Sequence, residues 1–290
     1  MYNEKFEHEH RLIKWGAVIL AVLLLWIVIT NKHLTVTDHS ISSNNLPKSF
    51  DGYKIAHVSD LHDSEFGENH KTLLAKLKKA EPDIIAITGD LVDFSRTDVE
   101  RSLRFAAEAV KIAPCYYVNG NHEILSGQYD TLCEGLIELG VIILENENSK
   151  IEINGEFITI VGINDPFVKS IDPMTHEYDT SVVAEDLDEA TAGTEGFKLL
   201  LAHRPECFES YCEYGIDLVL SGHAHGGQFR LPLVGGLYAP HQGVLPKYDA
   251  GLFQSGSTKM IVSRGIGNSS FPIRLNNSPE LIIIELRSEK

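Results

Sequence analysis

Residues 221–228 read SGHAHGGQ, and their side chains suit metal chemistry. His223 and His225 stand on either side of one alanine. Gly222, Gly226 and Gly227 let the backbone turn sharply and come close to whatever the imidazoles hold. The run follows Leu218, Val219 and Leu220, an apolar stretch of strand type, and a His-x-His pair at a strand end sends alternate side chains to one side of a sheet edge. Taken alone, the pair fits structural histidines as well as it fits ligands, and Gly226 and Gly227 fit a plain turn. Other strand ends decide between these readings.

KIAHVSDLH is a strand that runs into Asp60 and His62, a second pair spaced by two. DIIAITGDLVD ends at Gly89 and Asp90, with Asp93 three residues on, and CYYVNGNHE ends at Asn121 and His122. FITIVGINDP ends at Asn164 and Asp165, and FKLLLAHRPE at His203. In open α/β sheets, sites form at the carboxyl ends of strands, and so many metal-type residues at that one position are not expected by chance. Imidazoles, two carboxylates and one amide, with no thiolate needed, suit Mn, Fe, Zn or Co better than a calcium cage. The donors outnumber the roughly four to six that one ion accepts, which predicts two divalent ions bridged by one carboxylate.

The elements that must position these residues alternate between strand and helix. After the first strand, residues 71–80 form an amphipathic pattern with Leu73, Leu74 and Leu77 on one face. A further helix is expected through Leu103, Phe105 and Val110, and another through Leu132, Leu136 and Leu139. No period of 20 to 50 residues recurs, so the chain is not a repeat array.

D-x-H at Asp60 and His62, G-D at Gly89 and Asp90, G-N-H-E from Gly120 to Glu123, the lone His203, and G-H-x-H from Gly222 to His225 occur in one order. In that order they resemble the calcineurin-like metallophosphoesterase superfamily. The match runs from about Lys54 to the C-terminus. The extension GHAHGGQ and the tail RGIGNSSFPIRLNNSPELIIIEL resemble its bacterial branch, which often carries an N-terminal membrane segment. The resemblance implies an α/β fold, a four-layer αββα sandwich of two mixed sheets flanked by helices, with a dinuclear site on one edge. It implies one ion on Asp60, His62 and His225, a second on Asn121, His203 and His223, and Asp90 bridging both. Two such cations make hydroxide available from a shared water near neutral pH and neutralise phosphoryl oxygens during in-line attack. His122, beside a ligand but not one itself in that pattern, is the expected general acid for the leaving alkoxide.

Four further residues carry open readings. Arg204 either holds a phosphate oxygen or is a surface arginine. Asp93 either orders a ligand or caps the following helix. Glu123 and Asp165 are weaker candidates for supporting the ligands.

Composition narrows the function classes. The net charge is −16, and the first 32 residues hold four basic and three acidic side chains, so the remainder is more acidic still. Such a surface lacks the clustered Lys and Arg that track a nucleic-acid backbone, so no nucleic-acid polymer is expected as partner. Cys115, Cys133, Cys207 and Cys212 show no C-x-x-C spacing and read as buried or idle thiols, with a Cys207–Cys212 bridge left open.

Residues 12–30 are apolar apart from Lys14, with Trp15 and Trp26 near the ends. As a helix they span roughly 28 Å, close to the hydrocarbon thickness of a bilayer. The residues that follow offer no small-x-small cleavage site, which favours an uncleaved anchor over a signal peptide. The expected organisation is a tail at 1–11, a transmembrane anchor at 12–30, a juxtamembrane segment and edge strand at 31–52, and the catalytic domain at 53–290. Lys5, Arg11 and Lys14 precede the span, so the positive-inside rule predicts a single-pass protein of the cell membrane with its domain outside the cytoplasm.

The expected function is a membrane-anchored phosphoesterase acting on phosphodiesters or pyrophosphate diesters. A monoesterase or protein phosphatase is the nearest alternative, and a silent anchored metal-binding module a more distant one. Residues 229–253 are apolar for a segment beside a metal site. They either pack beneath it as core or form an apolar lip that admits a lipid-linked phosphate ester.

Overall fold

Strands that are apolar on both faces need cover on both sides, and the architecture supplies it. The computed structural model describes residues 2–172, 177–268 and 271–289, the side chains of residues 2–9 and 12 excepted. The expectations drawn from Lys5, Leu12, Ser269 and Ser270 therefore lie outside the described residues and side chains. The chain opens with α1 (Tyr2–Lys32), whose stretch Ile13–Lys32 has a mean hydropathy of 2.4 and is almost wholly exposed, with 6% of it buried.

The first half continues through β1 (Thr35–Ser43), β2 (Lys54–Val58), α2 (Lys71–Ala80), β3 (Ile84–Thr88), α3 (Val99–Ala109), β4 (Cys115–Val118), α4 (Asn121–Ser126), α5 (Tyr129–Glu138) and β5 (Ile142–Ile143). The second half holds β6 (Glu147–Ile153), β7 (Glu156–Gly162), α6 (Ser181–Ala190), β8 (Lys198–Leu201), α7 (Phe208–Cys212) and β9 (Leu218–Ser221). Two small ribbons follow, β10 (Arg230–Leu231) with β11 (Gly235–Gly236), and β12 (Tyr238–Ala239) with β13 (Gly243–Val244). The chain closes with β14 (Gly251–Ser255), β15 (Thr258–Val262) and β16 (Glu280–Ser288).

Among the described residues the strands form two six-stranded mixed sheets, β1-β16-β2-β3-β4-β5 and β14-β15-β9-β8-β7-β6. The period-two alternation of each strand assigns its two faces. In the first sheet, Ile84 and Ala86 of β3 and Ile282 and Ile284 of β16 point toward the second sheet, where they meet Leu199, Leu201, Leu218 and Leu220. The opposite faces, Ile85, Ile87 and Leu281, pack on Leu73 and Leu77 of α2, Phe105 of α3 and Leu132 and Leu136 of α5. On the far side, Leu200 and Val219 meet Val183 and Leu187 of α6 and Phe208 and Tyr211 of α7. The result is the four-layer αββα sandwich, with an apolar N-terminal helix.

Two open readings are decided locally. Helix α3 is capped by Asp98, whose carboxylate accepts from Arg101 N–H at 3.0 Å, so Asp93 is not its cap. Cys207 and Cys212 are unpaired thiols, as are Cys115 and Cys133.

Candidate metal centre

The loops after β2, β3, β4, β8 and β9 converge on one edge of the sandwich. They bring Asp60, His62, Asp90, Asn121, His122, His203, His223 and His225 together, each at most 8% exposed. These eight come from five separate strand ends. Parallel pairing of β2, β3 and β4, and of β8 and β9, puts those ends in register.

The donors fall into two groups that share one residue. Asp60, His62, Asp90 and His225 can each place a donor atom within 4.8 Å of the others, and so can Asp90, His203 and His223. His62 Nε2 lies 3.0 Å from His225 Nε2. Two nitrogens bound to one ion at about 2.1 Å and a right angle would stand about 3 Å apart, so this separation suits common ligation. Asp60 Oδ1 is 3.4 Å from His225 Nε2. In the second group His203 Nε2 lies 3.2 Å from His223 Nδ1. Asp90 Oδ2 sits between the groups, 3.5 Å from His62 Nε2 and 3.2 Å from His203 Nε2.

The outer atoms of the imidazoles decide which nitrogen can face inward. His203 Nδ1 donates to the Thr88 carbonyl at 2.8 Å, which turns Nε2 toward Asp90. His223 turns Nδ1 toward His203 Nε2, with its Nε2 on the outer side, 3.2 Å from His241 Nδ1. Burial alone would lower the pKa of His203, yet the charge and hydrogen bond of Asp90 raise it to about 10. Burial raises the Asp60 carboxyl to about 6. These shifts describe a site that seeks positive charge. Three buried acceptors or donors there, Asp60 Oδ2, His62 Nδ1 and Asn121 Oδ1, have no hydrogen-bond partner, and unsatisfied oxygens aimed into a carboxylate–imidazole cluster fit a divalent cation.

The backbone is bent to make this geometry. Asp60, His62, Asp90, His223 and His225 all have positive φ, between 46° and 63°. Neither His-x-His nor Asp-x-His is therefore a strand pair that reaches one side by alternation. β9 stops at Ser221, and left-handed turns splay His223 to one group and His225 to the other. Non-glycine residues in this region store strain of about 1–3 kcal/mol each and persist where surrounding structure over-determines them. Glu123 is one such determinant. Its buried carboxylate accepts from the N–H groups of Asp90 (2.8 Å), Leu91 (2.6 Å), Val92 (3.3 Å) and Gly120 (2.8 Å), tying the loop after β3 to the loop after β4. Burial and the charge of Asp90 push that carboxyl up to about 8, against the pull of the N–H groups. Gly222 allows a second close approach, since a Cβ there would strike Ser59 and Asp60.

The remaining candidates take definite places. His122 donates its backbone N–H to Asp90 Oδ1 at 2.8 Å, and its Nδ1 accepts from Phe94 N–H at 3.2 Å, which leaves the ring proton on Nε2. Asp93 lies close enough to His62 and His122 for the three to share a donor group, while its Oδ1 accepts from Ser95. Arg204 is fully buried and committed: Asp165 grips it at 2.6 and 3.0 Å, and its Nη1 lies 2.9 Å from His223 Nε2 and 2.8 Å from His241 Nδ1. Burial opposes its charge, but Asp165 holds its pKa above the ordinary guanidinium value. Phe167 and Tyr178 stack on it at 4.5 and 4.9 Å. Arg204 thus stands behind His223 and is no surface arginine.

A cavity of about 210 Å³ opens over the cluster, lined by Asp90 and His122 together with Phe94, Phe167, Pro240 and His241. Sequence reasoning missed Phe94, Phe167 and His241, and reached Pro240 only as part of the apolar stretch 229–253. Only the placement of His241 in a charge-free stretch soon after the metal loop could have drawn attention to it. The region from 229 onward is neither wholly core nor wholly lip. Ala239 and Tyr248 are buried, while Leu231, Leu233, Val234, Val244 and Leu245 are exposed.

Comparison with known proteins agrees with this geometry. Residues 53–227 match the family model described as calcineurin-like phosphoesterase. The uncharacterized metallophosphoesterase YkuE of Bacillus subtilis is 31% identical over 264 residues, covering 88% of this chain and 86% of its own. The phosphodiesterase YaeI of Escherichia coli is 31% identical over 244 residues, covering 81% and 82%. A transmembrane protein with metallophosphoesterase domain from Danio rerio is 30% identical over 93% of this chain, which spans 61% of that longer protein. Among solved structures, the sulfate thiohydrolase SoxB of Thermus thermophilus superposes with a TM-score of 0.50 at 14% identity, covering 83% of this chain and 57% of that one, a likeness of fold.

Proposed function

We propose that this chain, which belongs to the calcineurin-like phosphoesterase family, is a membrane-anchored hydrolase that holds two divalent ions and cleaves phosphodiester or pyrophosphate bonds. That it is a metal-dependent phosphoric ester hydrolase follows from the family. The observation that carries the two-ion reading is the position of Asp90 Oδ2 between His62 and His203. In this reading Asp60, His62 and His225 would hold one ion and Asn121, His203 and His223 the other, with Asp90 able to serve both. Mn, Fe, Zn or Co suits this donor set. When bound, such ions supply a water of lowered pKa and neutralise phosphoryl charge.

The chain's own residues do the rest. His122 is oriented by Phe94 N–H at Nδ1, which leaves Nε2 as the ring nitrogen that would pass a proton to the leaving oxygen. Phe94 and Phe167 give the cavity aromatic walls beside the donors. Among the described residues that line it there is no Lys or Arg to hold the extra charge of a monoester, which supports a diester preference. The printed name of the Escherichia coli relative points the same way.

The N-terminal helix reads as the anchor, at 12–30, after a tail at 1–11. A connecting segment at 31–52 leads to the catalytic domain at 53–290, and Lys5, Arg11 and Lys14 on the amino side favour a domain outside the cytoplasm. The test is elemental analysis of the purified chain beside hydrolysis of a monoester and a diester model substrate. Two metal equivalents and faster diester cleavage are expected; metal-independent turnover or a monoester preference would overturn the reading. A cysteine introduced on the domain surface should react with an impermeant thiol reagent on intact cells, and labelling only after lysis would reverse the orientation.

A further inference from the structure

Beyond Gly227 the chain leaves the buried centre and turns outward. Residues 231–245 contain no Asp, Glu, Lys or Arg, although 23% of the whole chain is charged. The tips of the two ribbons expose Leu231, Leu233, Val234, Val244 and Leu245, with Leu233 wholly in solvent at 108% relative exposure. Soluble surfaces rarely present so contiguous an apolar strip without a partner.

What lies on either side of the strip names that partner. Asn31, at the domain end of α1, exchanges two hydrogen bonds with the backbone of Arg274, donating to its carbonyl at 2.7 Å and accepting from its N–H at 2.8 Å. The segment that carries Arg274 is bonded in turn to the base of the first ribbon. Gln228 donates to the carbonyls of Phe271 and Ile273 at 2.8 and 2.7 Å, and Arg230 N–H to that of Leu275 at 3.0 Å. The Phe229 and Phe271 rings stack edge to face at 5.4 Å. At its other end the strip reaches Pro240 and His241, which line the cavity. The strip is therefore tied through hydrogen bonds to the end of the apolar helix at one end and reaches the mouth of the metal centre at the other.

We propose that this rim is a bilayer-docking surface: it seats in the headgroup–acyl boundary beside the anchor and delivers the phosphate of a membrane-embedded amphiphile to the cavity. This rests on the reading of α1 as an anchor and of the site as a phosphoester hydrolase. Charge favours a lipid occupant, because the acidic remainder of the domain is repelled by anionic headgroups and the rim carries no acidic group. Cavity size agrees. About 210 Å³ is less than the roughly 300–1,000 Å³ of pockets that engulf a ligand, so only the phosphate-bearing part enters and the chains of the amphiphile stay outside over the rim.

The test uses the full chain in vesicles of phosphatidylcholine and phosphatidylglycerol. Trp15 and Trp26 are the chain's only tryptophans, and their quenching by brominated lipid reports the anchor. An environment-sensitive label on Leu233→Cys reports the rim, and one on Ile137→Cys serves as control. Ile137 lies on α5 near β5, at the opposite edge of the first sheet from β1. Cys133→Ser and Cys212→Ser remove the half-buried thiols, while Cys115 and Cys207 are buried with thiols pushed up to about 12. We expect headgroup-depth quenching of the Leu233 label and none at Ile137. Equal, water-like signals at both, with the tryptophans still quenched, would overturn the docking surface, and unquenched tryptophans would overturn it together with the anchor. Leu233→Ser with Leu245→Ser should slow a long-chain diester in the vesicles several-fold and leave a water-soluble short-chain diester unchanged; equal losses would reject delivery from the bilayer. A quenched Leu233 label with neither diester cleaved would keep the docking surface and reject the phosphodiesterase reading, so the two failures are distinguishable.

Discussion

Residues 221–227 and residues 231–245 are neighbours in the chain and opposites in their physics. Every residue of the first run is buried, and its histidines are held in left-handed backbone. The second run forms only two-residue strands and leaves large aliphatic side chains in solvent. The first is over-determined, since each donor is fixed by a neighbouring loop; the second has little to hold any one side chain. Precise chemistry needs the former, whereas contact with a fluid surface tolerates the latter. Substitutions should therefore be costly in the first environment and nearly silent in the second, except where lipid is present.

The largest effect is expected at the atom both donor groups share. Asp90→Asn should remove bound metal and lower activity by orders of magnitude without unfolding the chain, as read by elemental analysis and turnover. A variant that keeps both ions and near-native rate would break the idea that the centre depends on one bridging carboxylate. Next comes His122→Ala, which should retain metal yet lose about 10²–10⁴-fold in rate on esters with poor leaving groups, and less on activated nitrophenyl esters. Equal losses on the two ester types would argue against proton donation to the leaving oxygen.

Smaller again, and expressed as stability, is Glu123→Gln. It places an amide N–H₂ opposite backbone N–H groups that now share one carboxylate, and should cost about 2–4 kcal/mol in a urea titration. A neutral result would mean that the loops after β3 and β4 are held by something else. The smallest effect belongs to the rim. Leu233→Ser should shift stability by no more than about 0.5 kcal/mol and leave turnover of soluble ester untouched. A large loss there would show that the rim is structural and would erase the contrast with residues 221–227.

Much of this was legible in the sequence, for identifiable reasons. Strands buried on both faces write themselves as short apolar runs, so β2, β3, β4, β8 and β9 and the polar residue after each could be located without coordinates. Helix α2 was legible from its Leu73 and Leu77 spacing. The position of β16 was not. It inserts between β1 and β2, parallel to one and antiparallel to the other, and nothing local in Glu280–Ser288 states which strands it joins. Arg204 shows the same limit within the site. Its type and place beside His203 were visible, but its commitment to Asp165, His223 and His241 depends on loops from three parts of the chain.

The sequence by itself determined the kinds of donor, their order along the chain, their attachment to strand ends and the presence of an apolar N-terminal helix, because these are properties of single residues and short periods. Only the tertiary structure decided which nitrogen of each imidazole faces inward, that His223 and His225 turn to different groups, that Glu123 binds four N–H groups, and that His241, Phe94 and Phe167 close the cavity. Those facts depend on distances between strand ends, and such distances are set by register and by the packing of two sheets, to which residues far apart in sequence contribute equally.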